Sequence, residues 1–294
     1  MNEVELYKGV CIGDVTGIII LSSAPAIKEA GVNIVKEKVP VFIDYEGNVR
    51  AFPYYKQVVM LNSKAAHRSG LQYSIELCTY YIGPDRPEDD IFVIPERVWS
   101  TFFSQYNKLV LEYADLAEKC GVEMFAPLSE GEGRLGFPIL LEEESLRGYE
   151  KASDWGQEIL HKIKQIYTGK TLWRSVMTEM GPEGNNKGGR WETYRDNVYI
   201  NFTGYDYIGF TIYPWLIKNW EYGNPEAEDA YREWLREVLD YALMCAERDG
   251  CKGVIATEFG EERVFEEGEG KLSGYFFWFD EPDRIRYWYK ERFP

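Results

Sequence analysis

Apolar residues recur along this chain in two spacings that alternate. From Pro95 to Cys120 they fall at Val98, Phe102, Phe103, Tyr106, Leu109, Val110, Tyr113 and Leu116, close to a 3.6 period, which predicts an amphipathic helix. A second helix is predicted to start at Asn224 and Pro225, a cap followed by a first-position proline. Its apolar face repeats at Tyr231, Trp234, Leu235, Val238, Ala242 and Cys245, up to Gly250. Between such runs lie short apolar stretches, and the junction is repeatedly a glycine: "IKEAGVNIV" (Gly31), "AAHRSGLQYSIEL" (Gly70), "LAEKCGVEMF" (Gly121), "IYTGKTLW" (Gly169), "NFTGYDYIGFTIY" (Gly204) and "AERDGCKGVIA" (Gly250). Glycine tolerates the left-handed backbone that closes a helix, so each junction reads as helix end, cap, strand.

Alternating α and β units imply a parallel sheet. Strands are predicted near 8–12, 32–43, 71–82, 122–128, 171–177, 206–213, 252–258 and 272–279, with a hairpin at "DYEGNV" after the second. Eight strands alternating with helices in 294 residues fit a single (β/α)8 TIM barrel. A doubly wound sheet would call for a Gly-rich phosphate turn after the first strand, and "GVCIGDVTG" lacks GxGxxG spacing. No linker, low-complexity tract or composition shift divides the sequence, so residues 1–294 are read as one domain.

Composition narrows the function. Hydrophobic residues at 45% and charged residues at 28% describe a soluble globular chain, and no apolar run approaches the roughly 18–20 residues that span a bilayer. "MNEVELYKGV" shows no basic segment followed by an apolar one, so it is not read as a signal peptide, and a cytoplasmic location is expected. A net charge of -16 repels nucleic acid and anionic membrane but suits a neutral substrate. Cys11, Cys78, Cys120, Cys245 and Cys251 lack CxxC spacing and read as reduced thiols near a core. The two histidines, His67 and His161, fall in helical contexts and read as helix-surface residues, so no metal and no cofactor are expected. Heavy use of Glu, Lys and Tyr points toward a thermophile.

In a barrel of this kind the active site lies at the C-terminal ends of the strands. The first predicted strand delivers Asp14 there, the second Asp44, the fourth Glu130 and Glu132, and the fifth Glu179. The sixth delivers Tyr213 and Trp215, the seventh Glu258, and the eighth Trp278 and Asp280. Acids and aromatic rings converging without histidines suit a carbohydrate: rings cover sugar faces and carboxylates handle the glycosidic oxygen.

These motifs resemble those of the clan A glycoside hydrolases, (β/α)8 enzymes that cleave β-glycosides with retention. "IKEAGVNIV" is similar to the clan's first helix and second strand. "FAPLSE" is similar to its fourth strand, which would make Glu130 the acid/base, and "IATEFG" to its seventh, which would make Glu258 the nucleophile. "GFTIYP" matches the pattern whose tyrosine, here Tyr213, would bond the nucleophile. "GYFFWFDEP" matches the one whose tryptophan, here Trp278, would floor the sugar subsite. Ser129 stands where the clan usually has Asn, and Lys36 and Lys38 stand where it commonly has a second-strand Arg, with Arg174 another candidate for that basic group.

The resemblance implies a retaining glycosidase acting on an oligo- or polysaccharide. Glu130 and Glu258 would be catalytic, and Ser129, Tyr213, Trp278, Trp215, Arg174 and Glu132 would line the substrate. Trp99, Trp155, Trp234 and Trp288 read as packing, whereas Trp191, Trp215 and Trp220 lie in predicted loops and could stack on sugars. Long loops after the fourth and fifth strands could wall an elongated cleft, favouring endo-action on β-glucan or β-mannan. An exo-acting β-glycosidase and an inactive carbohydrate-binding barrel are the alternatives, the latter suggested by Ser129. Of the two glutamates in "SEGEG", Glu130 is expected to donate the proton. Glu132, beyond Gly131, is expected at the rim.

Overall fold

The alternation read from the sequence becomes, in a computed structural model, a curled parallel sheet with helices on its outer face. The structure describes residues 9–12, 19–83, 93–136, 143–177, 191–212 and 225–259, with the main chain alone at 10–12, 19–22, 143–145, 212, 228, 258 and 259. In chain order the elements are β1 (Gly9–Ile12), α1 (Ile19–Glu29), β2 (Ile34–Ile43), β3 (Val49–Ala51), α2 (Tyr55–Arg68) and β4 (Gln72–Tyr81). They continue with α3 (Trp99–Cys120), β5 (Met124–Ala126), α4 (Glu143–Ile163), β6 (Lys170–Arg174), α5 (Trp191–Asn197), β7 (Tyr207–Ile212), α6 (Pro225–Asp249) and β8 (Gly253–Phe259).

Neighbouring strands follow the order β1-β2-β4-β5-β6-β7-β8, all parallel, and β3 adds antiparallel to β2 as the arm of the predicted hairpin. The two ends of that order, β1 and β8, approach each other. Strands that neighbour in chain order and curl back toward the first make the (β/α)8 barrel topology. The strand expected over 272–279 lies outside the described residues.

Local sequence explains the element ends. Helix α3 stops where Gly121 takes φ 66°, a left-handed cap, and four of the other five junction glycines also have positive φ. Gly169 does not: a Cβ there would stand 2.2 Å from the Tyr167 hydroxyl, so the position needs glycine for room rather than for handedness. In the hairpin, Asp44 accepts the Asn48 and Glu46 N–H groups at 2.9 and 3.1 Å, so this carboxylate closes a turn.

Two cores result. The large one, including Val35, Tyr73, Phe102, Tyr106, Trp155 and Trp173, lies between the sheet and its helices. A small one of Met124, Ala126, Leu172 and Tyr207 fills the barrel itself. His67 and His161 are exposed on α2 and α4, as their helical contexts predict. Among the described residues no helix is long and apolar enough to cross a membrane.

One buried-edge carboxylate ties the sheet's lower rim. Asp206 accepts the Thr171 N–H at 2.8 Å and meets Lys164 and Lys252 at 2.9 and 2.8 Å. Burial alone would raise its pKa, but the bonds from Lys252, Thr171 and Lys164 outweigh it and hold the value at about 2. A carboxyl depressed in the folded state stabilises above its unfolded pKa and loses that contribution as pH falls through the folded one. Asp206→Asn is therefore expected to cost about 2 kcal/mol at pH 7. The gap to wild type should close as pH drops from about 4 toward about 2, read from urea midpoints across that range.

Candidate active site

The site is built on the turn that follows β5. After Ala126 the chain runs on beside β4, with the Ser129 N–H donating to the Leu77 carbonyl at 2.8 Å. Glu130 then adopts φ 50°, the one non-glycine residue with positive φ among those described. Such a conformation costs on the order of 1 kcal/mol and is kept where the surroundings over-determine it, characteristically at functional sites. The turn closes through Arg134 N–H to the Glu130 carbonyl at 3.0 Å and Gly136 N–H to the Glu132 carbonyl at 2.8 Å. Gly131 and Gly133 allow it to lie flat on β6: added Cβ atoms would stand 2.4 Å from the Trp173 ring and 3.0 Å from Val176.

Glu132 is the pin beneath this turn. It is fully buried and accepts the Trp173 indole N–H at 2.9 Å, the Val176 N–H at 2.8 Å, the Tyr194 hydroxyl at 3.0 Å and the Ser175 hydroxyl. Burial pushes its pKa up, and the Ser175, backbone and Trp173 bonds oppose that rise. The rim position expected for Glu132 is thus corrected. The left-handed backbone at Glu130 turns the chain, and Glu132 is the group that fastens it to β6.

Glu130 faces the other way and keeps some exposure, 14% of its side chain. Arg134 Nη2 lies 2.8 Å from one carboxylate oxygen and Arg174 Nη2 2.9 Å from the other. Arg174, on β6 and fully buried, also donates to Glu76 at 2.9 Å, to the Ser129 hydroxyl and, through Nε, to the Thr257 hydroxyl at 3.0 Å. Glu76 in turn pairs with Lys36 at 2.9 Å, and Arg134 Nε donates to the Ser129 carbonyl at 2.9 Å. Lys36, Glu76, Arg174, Glu130 and Arg134 therefore form one ionic chain inside the barrel, above its apolar plug. Of these, Glu76 and Arg134 escaped the sequence reading. Glu76 could have been found as the single carboxylate inside an otherwise uncharged strand, "QYSIELCTYY".

Across the barrel, β8 carries Glu258. Phe210 pairs with Ala256 and Thr211 with Glu258, so Thr257 is an extra residue, a β-bulge immediately before that glutamate. Gly209 makes room for it, since a Cβ there would lie 2.6 Å from the Thr257 methyl. The Glu258 side chain, Tyr213, Trp215, Trp220, Trp278, Asp14, Glu179 and Asp280 lie outside the described residues. Trp191 does not sit in a loop: it opens α5, is fully buried and donates to Glu237 at 2.9 Å, so it packs rather than stacks on sugar. The expected loop after β5 likewise gives way to α4 from Glu143. Among the described residues no cluster of three or more His, Cys, Asp or Glu side chains could hold a metal ion.

No protein-family profile matches this sequence, and no curated protein matches it either. Solved structures do match in fold. A GH113 β-mannanase from Alicyclobacillus acidocaldarius superposes with a TM-score of 0.59 over 95% of this chain and 85% of that one, at 16% identity. A GH5-4 broad-specificity endoglucanase from an uncultured bacterium gives 0.61 over 84% and 67%, at 11% identity. An exo-β-1,4-mannosidase from an Opitutaceae bacterium gives 0.57 over 89% and 47%, at 12% identity. At these identities the likeness shows the fold, a (β/α)8 barrel.

The ionic chain makes a stability prediction. Removing one member of a buried pair leaves the other charged and unpartnered, at about 3–5 kcal/mol. Arg174→Met is expected to lower unfolding free energy by about that much. Arg174→Lys should recover less than half of it, because one ammonium cannot span the positions held by a planar guanidinium. Guanidinium chloride titration of the three proteins measures this, and a loss below about 1 kcal/mol in Arg174→Met would contradict the network.

Proposed function

We propose that this protein is a retaining β-glycanase, endo-acting on β-glucan or β-mannan chains, with residues 1–294 as one catalytic domain. The observation that carries the reading is Arg174: a single guanidinium touches Glu130 on the turn after the fourth parallel strand and Thr257, the bulged residue before Glu258 on the seventh. Glu130 and the residue preceding Glu258 are thus held by one buried group from two walls of the barrel. The fold neighbours include a β-mannanase and an endoglucanase, which supports a β-linked glycan as substrate. Among the described residues Cys78, Cys120, Cys245 and Cys251 form no disulfide, which suits a reducing, cytoplasmic setting.

In this mechanism Glu258 attacks the anomeric carbon as the glycosidic bond breaks, and Glu130 protonates the leaving oxygen. A water molecule deprotonated by Glu130 then displaces Glu258 and releases the sugar with retained configuration. Carboxyl groups about 5–5.5 Å apart serve this chemistry. Tyr213 would bond the nucleophile, while Trp278 and Trp215 would cover sugar faces. Ser129 and Arg174, both fully buried, act on the substrate only through Glu130. Glu132 holds the turn that aims it.

One observation favours a second reading, a barrel that binds glycans without cleaving them. Both carboxylate oxygens of Glu130 are held by guanidiniums, whereas a proton donor has to reach the glycosidic oxygen. Hydrolysis requires one arginine to release the carboxylate when substrate is seated.

Activity decides between these readings. Glu258→Gln should abolish turnover of β-glucan and β-mannan with the fold intact by circular dichroism. Glu130→Ala should slow poor leaving groups far more than activated aryl glycosides, with azide restoring rate by attacking the glycosyl-enzyme. Azide rescue in Glu132→Ala but not in Glu130→Ala would exchange the two roles, and binding without turnover in wild type would establish the second reading. Trp278→Ala should weaken sugar binding by roughly 1–3 kcal/mol in calorimetric titration.

A further inference from the structure

Above the ionic chain, the inner face of β2 and β4 ends in aromatic rings. Strand residues alternate sides, so the contacts of Glu76 and Lys36 inside the barrel identify the inward face of each strand. On β4 that face continues through Cys78, whose sulfur lies 3.6 Å from Arg134 Nη2, to Tyr80. On β2 it continues from Lys36 through Lys38 and Pro40 to Phe42, which pairs with Tyr80 in the strand register. The two rings stack with centroids 5.7 Å apart and planes 29° from parallel. Phe52, just past β3, meets Phe42 edge-on at 5.2 Å, and Tyr54 stacks on Phe52 at 5.4 Å with planes 16° apart.

This cluster adjoins the candidate acid/base. The Ser129 N–H bond to the Leu77 carbonyl sets Ser129, the residue before Glu130, level with Cys78. Tyr80 and Phe42 therefore stand two residues, about 7 Å, beyond Ser129 along the strands, next to the turn that carries Glu130. Whereas β5 ends at Ala126 and β6 at Arg174, β2 and β4 each extend for 10 residues, so their ends rise as a wall beside the mouth. Phe42 and Tyr80 are half-buried, while Phe52 and Tyr54 remain 43% and 53% exposed. Contiguous apolar rings left facing water mark a binding surface. Flat rings rimmed by hydroxyls suit the C–H faces of a neutral sugar, whose own hydroxyls stay hydrated.

We propose that Phe42, Tyr80 and Phe52 form a sugar platform that receives a β-linked glycan chain beyond the cleavage point. The proposal rests on the glycanase reading and adds to it a subsite for chain length. The experiment is calorimetric titration of the Glu258→Gln protein with cellohexaose and mannohexaose, and with the corresponding disaccharides. Combining Phe42→Leu with Tyr80→Leu, which keeps apolar volume but removes the rings, should weaken hexasaccharide binding at least tenfold and disaccharide binding less than twofold. Phe52→Ala, at an exposed ring, should weaken the hexasaccharide about threefold and guards against a folding defect in the double variant, which thermal melting also monitors. Unchanged hexasaccharide affinity in both variants, with the parent binding normally, overturns the platform and leaves the glycanase reading standing. If the parent chain binds no glycan and wild type cleaves none, both fall. If the rings instead hold a second copy of the chain, light scattering will show a dimer that Phe52→Ala dissociates, and the platform is again overturned.

Discussion

The guanidinium of Arg174 is the constraint on which the rest of this molecule turns. It is buried with no access to solvent, and it bridges Glu76 on β4, Ser129 and Glu130 on the turn after β5, and Thr257 on β8. A buried charge is tolerable only when it is paired and hydrogen-bonded. Three walls of the barrel must therefore bring their partners to one point, and the sheet can curl only as far as those contacts permit. The planar fork of arginine provides several directed donors at once, which an ammonium would not.

Around that centre the turn Ser129–Gly136 is shaped by opposed demands on neighbouring residues. Glu132 is sunk among four neutral donors, and Glu130, two positions earlier, is turned toward the mouth between two cations. The left-handed backbone at Glu130 is what sends the two carboxylates opposite ways. Its strain is held by the plug of Glu132 below and the arginine clamp above. The bulge at Thr257 is the matching device across the barrel, bringing a hydroxyl to Arg174 next to Glu258.

The barrel's asymmetry gives the site its surroundings. Strands β5 and β6 are short and deliver their side chains at the plug, while β2 and β4 continue past it and carry Phe42 and Tyr80 above the ionic chain. Their rings, stacked 5.7 Å apart, make the ends of these two strands an aromatic wall. The hairpin from Asp44 to Asn48 stiffens that wall, with Gln105 of α3 bonding Val49 N–H at 2.9 Å.

Where the signal is local, the sequence by itself determined the outcome. Period 3.6 against short apolar runs located α3, α6 and the seven described parallel strands, and glycines at helix ends marked the units, because those patterns reflect which face of one element meets the core. "FAPLSE" and "IATEFG" likewise located Glu130 and Glu258 at strand ends. Tertiary structure alone decided which way Glu130 and Glu132 face and what holds them. Glu132 reads as a loop residue until β6 and α5 supply Trp173, Ser175 and Tyr194 around it. Trp191 reads as a loop ring until α5 closes on α6. Arg174 and Glu76 are 98 residues apart and meet because parallel pairing and curl superimpose their inward faces. Such contacts depend on strand register and on the exclusion of water from the barrel, neither of which is written in any one segment's own pattern.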